Sequence, residues 1–461
     1  MRYAQSVLDL IGDTPLVKLN RVVPQDGPLV LAKLEMRNPG GSVKDRIGIA
    51  MLEAAEKEGT LRPGGTIVEG TSGNTGVGLA IAAAIRGYKA IFTMPDKMSA
   101  EKIRLLRAYG AEVVVTPTAV PPEHPMSYYS VARRIQRETP NCFYPNQYEN
   151  QANPLAHYRT TGPEIWQQTE GRIDVLVAGV GTGGTISGAA KFLKEKNPRV
   201  RVVGVDPEGS ILAEYKRTGK VGTTLKTYKV EGIGEDIVPK SLWPEHIDEI
   251  VTVNDRESLQ MARRIAREEG ILAGGSTGSA VAGLLKWLRA NPKGPETTIV
   301  VLFPDTGERY LSKIYDDNWM RENRLLEDDV SLEALLRAKA GDAPRELLSI
   351  RPEDTVASAI ETMNHKGVSQ IPVLDDRGRN VGSLVDHRLL NKILENRMVL
   401  DYPVAKHMDP PFPEIDADAG LPAATELLKT HAAVLVRRGG KLAGILTKFD
   451  LAEFLLGTHG K

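Results

Sequence analysis

Several things are scarce in this chain, and each shortage excludes a class of protein. Cys142 is the single cysteine in 461 residues, which rules out an internal disulfide and a thiolate metal cluster and fits a reducing compartment, with the thiol expected to be buried or inert. Neither sign of charge is in excess, with 59 basic against 59 acidic residues. With no long Lys/Arg block either, neither nucleic acid nor an anionic membrane is expected as a partner, and the ligands should be small molecules. Long hydrophobic runs are also missing. The stretch 77–85, interrupted by Gly78, falls far short of the roughly 20 residues a membrane span needs. The N-terminus shows no signal pattern, so a cytoplasmic location is expected. The eight histidines show no H-E-x-x-H or comparable spacing, and no metal is expected.

What is present is organised around Asn38 to Arg46, N-P-G-G-S-V-K-D-R. A glycine-proline turn runs into an amphipathic helical pattern, with Ser42 able to cap it and Lys44 at its start. Free backbone N–H groups and a helix dipole favour an anionic ligand there. They would also help lower a lysine pKa in a dry site, as a Schiff-base lysine requires. Around this stretch, apolar runs of strand length at 29–35, 66–69, 90–94, 112–115, 174–180, 201–206 and 298–303 alternate with helical patterns such as 77–86, 100–109 and 256–269. Such alternation implies a mostly parallel sheet covered on both faces. Residues 140–162 read as a long irregular stretch, which in an enzyme is often functional.

Three strand-to-helix turns carry glycine with hydroxyl or amide residues: 70–76 (G-T-S-G-N-T-G), 181–185 (G-T-G-G-T) and 274–279 (G-G-S-T-G-S). Glycine admits close backbone approach to an anion, and the N–H groups of the following helix bind it. A rival reading takes Gly179 to Gly184 as G-x-G-x-x-G with Asp206 as a ribose-binding acid, a nicotinamide site. It leaves Lys44 and T-S-G-N-T-G without work. A phosphate joined to a lysine-reactive carbonyl accounts for all of them, and pyridoxal 5′-phosphate (PLP) has both.

N-P-G-G-S-V-K-D-R, T-S-G-N-T-G, G-T-G-G-T and G-G-S-T-G, in this order over residues 5–320, resemble the β-family (fold type II) PLP enzymes, the group of the cysteine synthases and cystathionine β-synthases. V-E-G-I-G-E-D (230–236), Q-Y-E-N-Q-A-N-P-L-A-H-Y (147–158) and the C-terminal repeat described below lean toward the second of these. Gly70, where the family more often has proline, and D-T-G-E-R-Y-L-S (305–312), reminiscent of cysteine synthases, are departures. The resemblance implies an α/β fold, a two-subdomain parallel-sheet catalytic unit followed by a tandem CBS (Bateman) module. It also implies a lyase that condenses L-serine with L-homocysteine to L-cystathionine. Cysteine synthesis from O-acetylserine or O-phosphoserine and sulfide is the alternative, and a non-catalytic sensor of an adenosyl ligand is a reading of another class. Lys44 would bond the cofactor and then shuttle protons at Cα and at the leaving hydroxyl. Gly181, Thr182, Gly183, Gly184 and Thr185 would cradle its phosphate, Asn74 its phenolic oxygen and Ser276 its ring nitrogen. Thr71, Ser72, Thr75 and Gln147 would take the substrate carboxylate, with Tyr148 lining the second-substrate side. His157 reads as structural. The chain opens at the catalytic unit, so no haem is expected, and a homodimer or larger homo-oligomer is implied.

Composition shifts after Tyr315 to a charged helical stretch, 321–345, read as a linker between a catalytic part at 1–320 and two repeats at 346–400 and 401–461. Gly382 to Val385 followed by D-H-R-L-L echoes Gly444 to Thr447 followed by K-F-D-L-A. Each copy is expected as a β-α-β-β-α unit, too small to bury its sheet alone, so the two should pack as a pair. Modules of this type use [ST]-x-x-D to hold a ribose. Thr447 and Asp450 supply it in the second copy, whereas Val385 and Arg388 stand at those positions in the first. One adenosyl ligand, S-adenosylmethionine foremost, is therefore expected for the pair.

Overall fold

The runs 29–34, 175–179, 201–207 and 298–303 are apolar at nearly every position instead of alternating, the pattern of strands covered on both faces. They form the middle of a six-stranded sheet in the order Leu16–Lys18, Leu29–Leu34, Thr298–Phe303, Val175–Gly179, Arg201–Pro207, Glu249–Val253, parallel except for its first pair. Successive residues point to opposite faces. Val177, Val203 and Val301 join a core with helix Gly275–Ala290, while Leu176, Val202 and Val300 join another with helix Gly184–Lys196.

The structure, a computed structural model, describes residues 1–461 apart from 2, 72, 97, 99, 118–119, 122–123, 223–225, 327–331, 341–346 and 456–461. The chain divides into two units, Met1–Leu326 and Glu327–Lys461. The first holds the sheet above and a second, all-parallel sheet in the order Glu112–Thr116, Lys89–Pro95, Thr66–Gly70, Cys142–Phe143. Ile47 and Met51 of helix Lys44–Glu58 and Leu79 of helix Asn74–Arg86 bury against its Phe92. These two helices cross at glycines. A Cβ on Gly48 would stand 2.5 Å from the carbonyl carbon of Gly78, and one on Gly78 would stand 2.6 Å from the carbonyl oxygen of Lys44. Only glycine permits that approach, which brings the first turns of the two helices together.

The stretch 140–162 is more regular than its composition suggests. Helices Ala152–Arg159 and Thr161–Gln168 occupy its second half and beyond, and Pro154 is tolerated because it lies in a first turn, where its missing N–H has no partner to lose. The helix expected over 256–269 is α-helical only over Asp255–Arg264 and ends in a π turn, Ile265–Glu269, before Gly270.

In the second unit one copy of the repeat has helix Val356–Lys366, strands Gln370–Leu374 and Asn380–Val385, and helix Asp386–Glu395. The other has strand Glu414–Asp416, helix Leu421–Thr430, strands Ala433–Arg438 and Lys441–Thr447, and helix Lys448–Leu455. The opening strand of the first copy shrinks to a bridge between Ile350 and Val373, since Pro352 has no N–H with which to extend it. Leu332, Leu335 and Leu336, in the charged stretch after Tyr315, bury against Ala424, Leu428 and Val436 of the second copy. Parts of that stretch, 327–331 and 341–345, lie outside the described residues. No described helix is long and apolar enough to cross a membrane.

Candidate active site

A cavity of about 890 Å³ opens between elements of the two sheets of the first unit. Lys44, Asn74, Thr75, Gln147, Tyr148, Thr182 and Ser276 all line it. The loop before Lys44 is fixed by its own turn and by a distant strand end. Gly41 N–H donates to Asn38 O at 2.8 Å, Val43 N–H to Pro304 O at 2.8 Å, and Lys44 N–H to Ser42 Oγ at 3.2 Å. The Lys44 amine has no hydrogen-bond partner among the described residues. Burial lowers its pKa, against the opposing pull of Asp305 and Glu235. An enclosed, unpaired amine of lowered pKa is a nucleophile in waiting.

Ser276, which lines the same cavity, sits in the first turn of helix Gly275–Ala290, only 4% exposed. That helix starts at Gly274 with no side-chain cap, so Ser276 does no capping, and its hydroxyl has no partner among the described residues. Asn74 opens helix Asn74–Arg86 with its amide held at both ends: Nδ2 donates to Asp305 Oδ2 at 2.8 Å, and Oδ1 accepts from Arg309 Nη1. Arg309 also donates to Gly40 O, and Tyr310 donates through its hydroxyl to Asp305 Oδ2 at 2.6 Å. The D-T-G-E-R-Y turn thus locks the amide of Asn74 against the Lys44 loop. Asp305, Arg309 and Tyr310 escaped the sequence reading as site residues, although their motif stood out as a departure.

Thr75 Oγ1 donates to Gln147 Oε1 at 2.6 Å. The backbone N–H groups of Asn146 and Gln147 donate to Glu69, 2.8 and 3.1 Å away, whose carboxyl burial pushes up to about 8. Tyr148 packs edge-on to Tyr129 with ring centres 5.9 Å apart. Thr71 does not line the cavity: it is buried, and its Oγ1 accepts from Gly73 N–H at 3.2 Å. Ser72 lies outside the described residues.

The turn 181–185 enters helix Gly184–Lys196 through Gly183 at φ 79°, where a Cβ would press on Leu242. Of its residues Thr182 faces the cavity, and the others continue the turn behind it. Asn153 Nδ2 donates to Thr182 Oγ1 at 3.1 Å, and Ser241 Oγ to Thr182 O at 2.6 Å. His157, fully buried and with a pKa driven well below normal by that burial, joins Thr161 at 2.8 Å to Thr185 at 3.1 Å through its two ring nitrogens. It links the helix pair 152–168 to the turn, contacts no sequence spacing could announce. Asp206, the acid of the nicotinamide reading, is buried and accepts from Ala213 N–H at 2.9 Å.

In the second unit, Asp450 Oδ2 accepts from the backbone N–H and hydroxyl of Thr447 at 2.7 and 2.8 Å, and from Lys339 Nζ at 2.8 Å. Asp450 N–H returns a bond to Thr447 Oγ1 at 3.3 Å. This is a capping box around helix Lys448–Leu455. Asp450 Oδ1 has no hydrogen-bond partner among the described residues.

Fold and site together define a lysine-dependent, anion-cradling α/β enzyme unit. The model of the pyridoxal-phosphate dependent enzymes matches residues 7–305, and that of the CBS domain matches 341–395 and 404–457. A cystathionine beta-synthase of Oryctolagus cuniculus is 41% identical over 97% of this chain and 84% of its own length. One of Dictyostelium discoideum is 38% identical over 99% and 93%, and one of Saccharomyces cerevisiae 38% over 98% and 97%. The crystal structure of a hydrogen sulfide-producing enzyme from Fusobacterium nucleatum superposes with a TM-score of 0.61 at 39% identity, covering 67% of this chain and all of the other. The chain belongs to the pyridoxal-phosphate-dependent enzymes, in the cystathionine beta-synthase family. Its cofactor is PLP, and the residues present fit it: an unpaired lysine, an uncapped Ser276 hydroxyl and a glycine turn at a helix N-terminus surround one cavity.

Proposed function

We propose that the chain condenses L-serine with L-homocysteine to L-cystathionine and water, and that its C-terminal repeat pair regulates this reaction. The observation that carries the reading is the unpaired Lys44 amine in one cavity with Asn74, Thr75, Gln147, Tyr148, Thr182 and Ser276, in a chain near 40% identical over its length to enzymes of that name. In this reading Lys44 attaches the cofactor, and the turn Gly181, Thr182, Gly183, Gly184, Thr185 holds its phosphate with backbone N–H groups. Asn74 donates to its phenolic oxygen. Ser276 meets the ring nitrogen with a neutral hydroxyl, which does not stabilise a protonated ring as a carboxylate would. When bound, PLP supplies an electron sink for breaking the Cα–H bond of the amino acid. Lys44 takes that proton, while Ser72, Thr75 and Gln147 hold the carboxylate and Tyr148 borders the second substrate.

The cysteine-synthase motif 305–312 and the sulfide-producing structural relative favour a second reading, in which O-acetylserine and sulfide are the substrates. Turnover of the full chain with serine plus homocysteine, set against O-acetylserine plus sulfide, decides between them. Efficient turnover of the second pair alone would overturn the first choice. Work in the cytoplasm as a homodimer or larger assembly completes the reading, supported by the lone cysteine and by the family.

The catalytic part at 1–320, the linker 321–345 and the repeats 346–400 and 401–461 give regulation its parts. An adenosyl ligand, S-adenosylmethionine foremost, would place its ribose hydroxyls on Asp450, whose Oδ1 is free to accept them. Calorimetry is expected to give one ligand per chain, with binding lost in Asp450→Ala while basal catalysis persists. Binding unaffected by that change would remove the site.

Ser276→Asp is expected to change the absorption of the bound cofactor and to slow turnover, because a carboxylate would hold a proton on the ring nitrogen. An unchanged spectrum would separate Ser276 from the ring.

A further inference from the structure

Among the described residues three carboxylates line the cavity: Glu231, Glu235 and Asp236. Two have other occupations. Glu231 is paired with Lys102 and, at 2.8 Å, with Lys313, and Asp236 stands exposed to solvent. Glu235 differs from both. Its backbone is pinned, with its N–H donating to Ser210 Oγ at 3.0 Å and its carbonyl accepting from Ile211 N–H at 3.0 Å. The preceding Gly234 donates to Val180 O at 2.7 Å, next to the phosphate turn. The carboxyl itself has no hydrogen-bond partner among the described residues. Burial pushes it up to about 8, with Asp236 and the buried Asp206 adding to the rise and Lys44 opposing it. Tyr128, Tyr129, Tyr148 and Tyr228 face it across the same cavity. A fixed backbone carrying an unpaired, protonatable carboxyl into the cavity of the reactive lysine is the arrangement of a general acid–base residue.

We propose that Glu235 handles the protons of the exchange at the substrate's Cβ, leaving Lys44 the proton of Cα. This rests on the serine and homocysteine reading above. As the Cβ–O bond of serine breaks, the electron pair leaves on oxygen, and the Glu235 carboxyl gives its proton so that water departs. As the S–Cβ bond forms, the Glu235 carboxylate takes the thiol proton and the acid is restored. The two transfers balance within one turnover. An acyl ester leaves from Cβ as a stable carboxylate and needs no such proton, so Glu235 would suit the site to serine, whose hydroxide leaves poorly.

The test uses the PLP-loaded full chain and Glu235→Gln, which keeps the shape and removes the titrating proton. Stopped-flow absorbance follows the half-reaction without thiol. With serine the variant is expected to be slower by about 10²–10⁴-fold, and with O-acetylserine to stay within a few-fold of the parent. Glu235→Asp, which retains an acid, should recover part of the serine rate. Equal slowing with both amino acids would make Glu235 a positioning residue and overturn the proposal, as would no slowing with either. A second readout needs no substrate: the difference in infrared absorption at neutral pH between the parent and Glu235→Gln is expected to hold the carbonyl band of one protonated carboxylic acid, other protonated carboxyls such as Glu69 cancelling. If the parent fails to process serine at all, the functional reading falls. The band still judges Glu235 then, since its absence from the difference between parent and variant would overturn the acid.

Discussion

Replacing Lys44 by alanine should leave a folded protein with turnover lower by on the order of 10⁶-fold, the scale seen when a covalently acting catalyst is removed. The side chain is half-buried with its amine in the cavity and makes no hydrogen bond among the described residues. Its loss therefore breaks no side-chain hydrogen bond among the described residues, and the residue's backbone bonds to Ser42 and to helix Lys44–Glu58 survive. Circular dichroism and the unfolding midpoint should be near those of the parent, while the visible band of the bound cofactor disappears. Near-normal activity in this variant would sink the lysine-based account.

Arg46→Met should have the largest effect on stability. Arg46 sits two residues beyond Lys44 on the same helix, its side chain 2% exposed, and bridges two acids: Nε to Glu35 Oε2 at 2.7 Å and Nη1 to Glu164 Oε1 at 2.6 Å. Lys33, fully buried, joins the cluster through Glu164 at 2.8 Å and Thr14 O at 2.6 Å. Removing the guanidinium leaves Glu35 buried with its main counter-charge gone, which costs about 3–5 kcal/mol when a buried pair is broken from one side. Urea unfolding measures this directly, and a loss below about 1 kcal/mol would mean that water already reaches the cluster. The same cluster sets an acid limit. Glu164, though opposed by its own burial, is pulled down to about 2 by Arg46 and Lys33. Its folded value lies below the ordinary one near 4.5, so the contribution is full above that pH and is lost as pH falls toward 2.

How much of this could be read from the chain depends on whether the information is local. The strands were legible because a two-sided parallel strand is apolar throughout, as at Val175–Gly179. The glycine turns were legible because anion binding constrains backbone and residue type within a few positions. The grouping of Lys44, Asn74, Gln147, Thr182 and Ser276 around one cavity followed from motif order. Contacts between distant segments were not legible. Arg309 reaches Asn74 across 235 positions, His157 finds Thr185 on another helix, and the Gly48–Gly78 crossing looks in sequence like two weak helical residues. Residues 140–162 misled because their Asn and Pro content signals loop, whereas Asn153 and Pro154 sit in the first turn of a helix.

The central claim is that Lys44 carries the cofactor, and one measurement bears on it most directly. The full chain loaded with PLP is reduced with borohydride, digested, and its peptides are weighed by mass spectrometry. A pyridoxyl group is expected on the peptide containing Lys44, with loss of the visible absorption. A label on another lysine, or none at all with the spectrum unchanged, would contradict it.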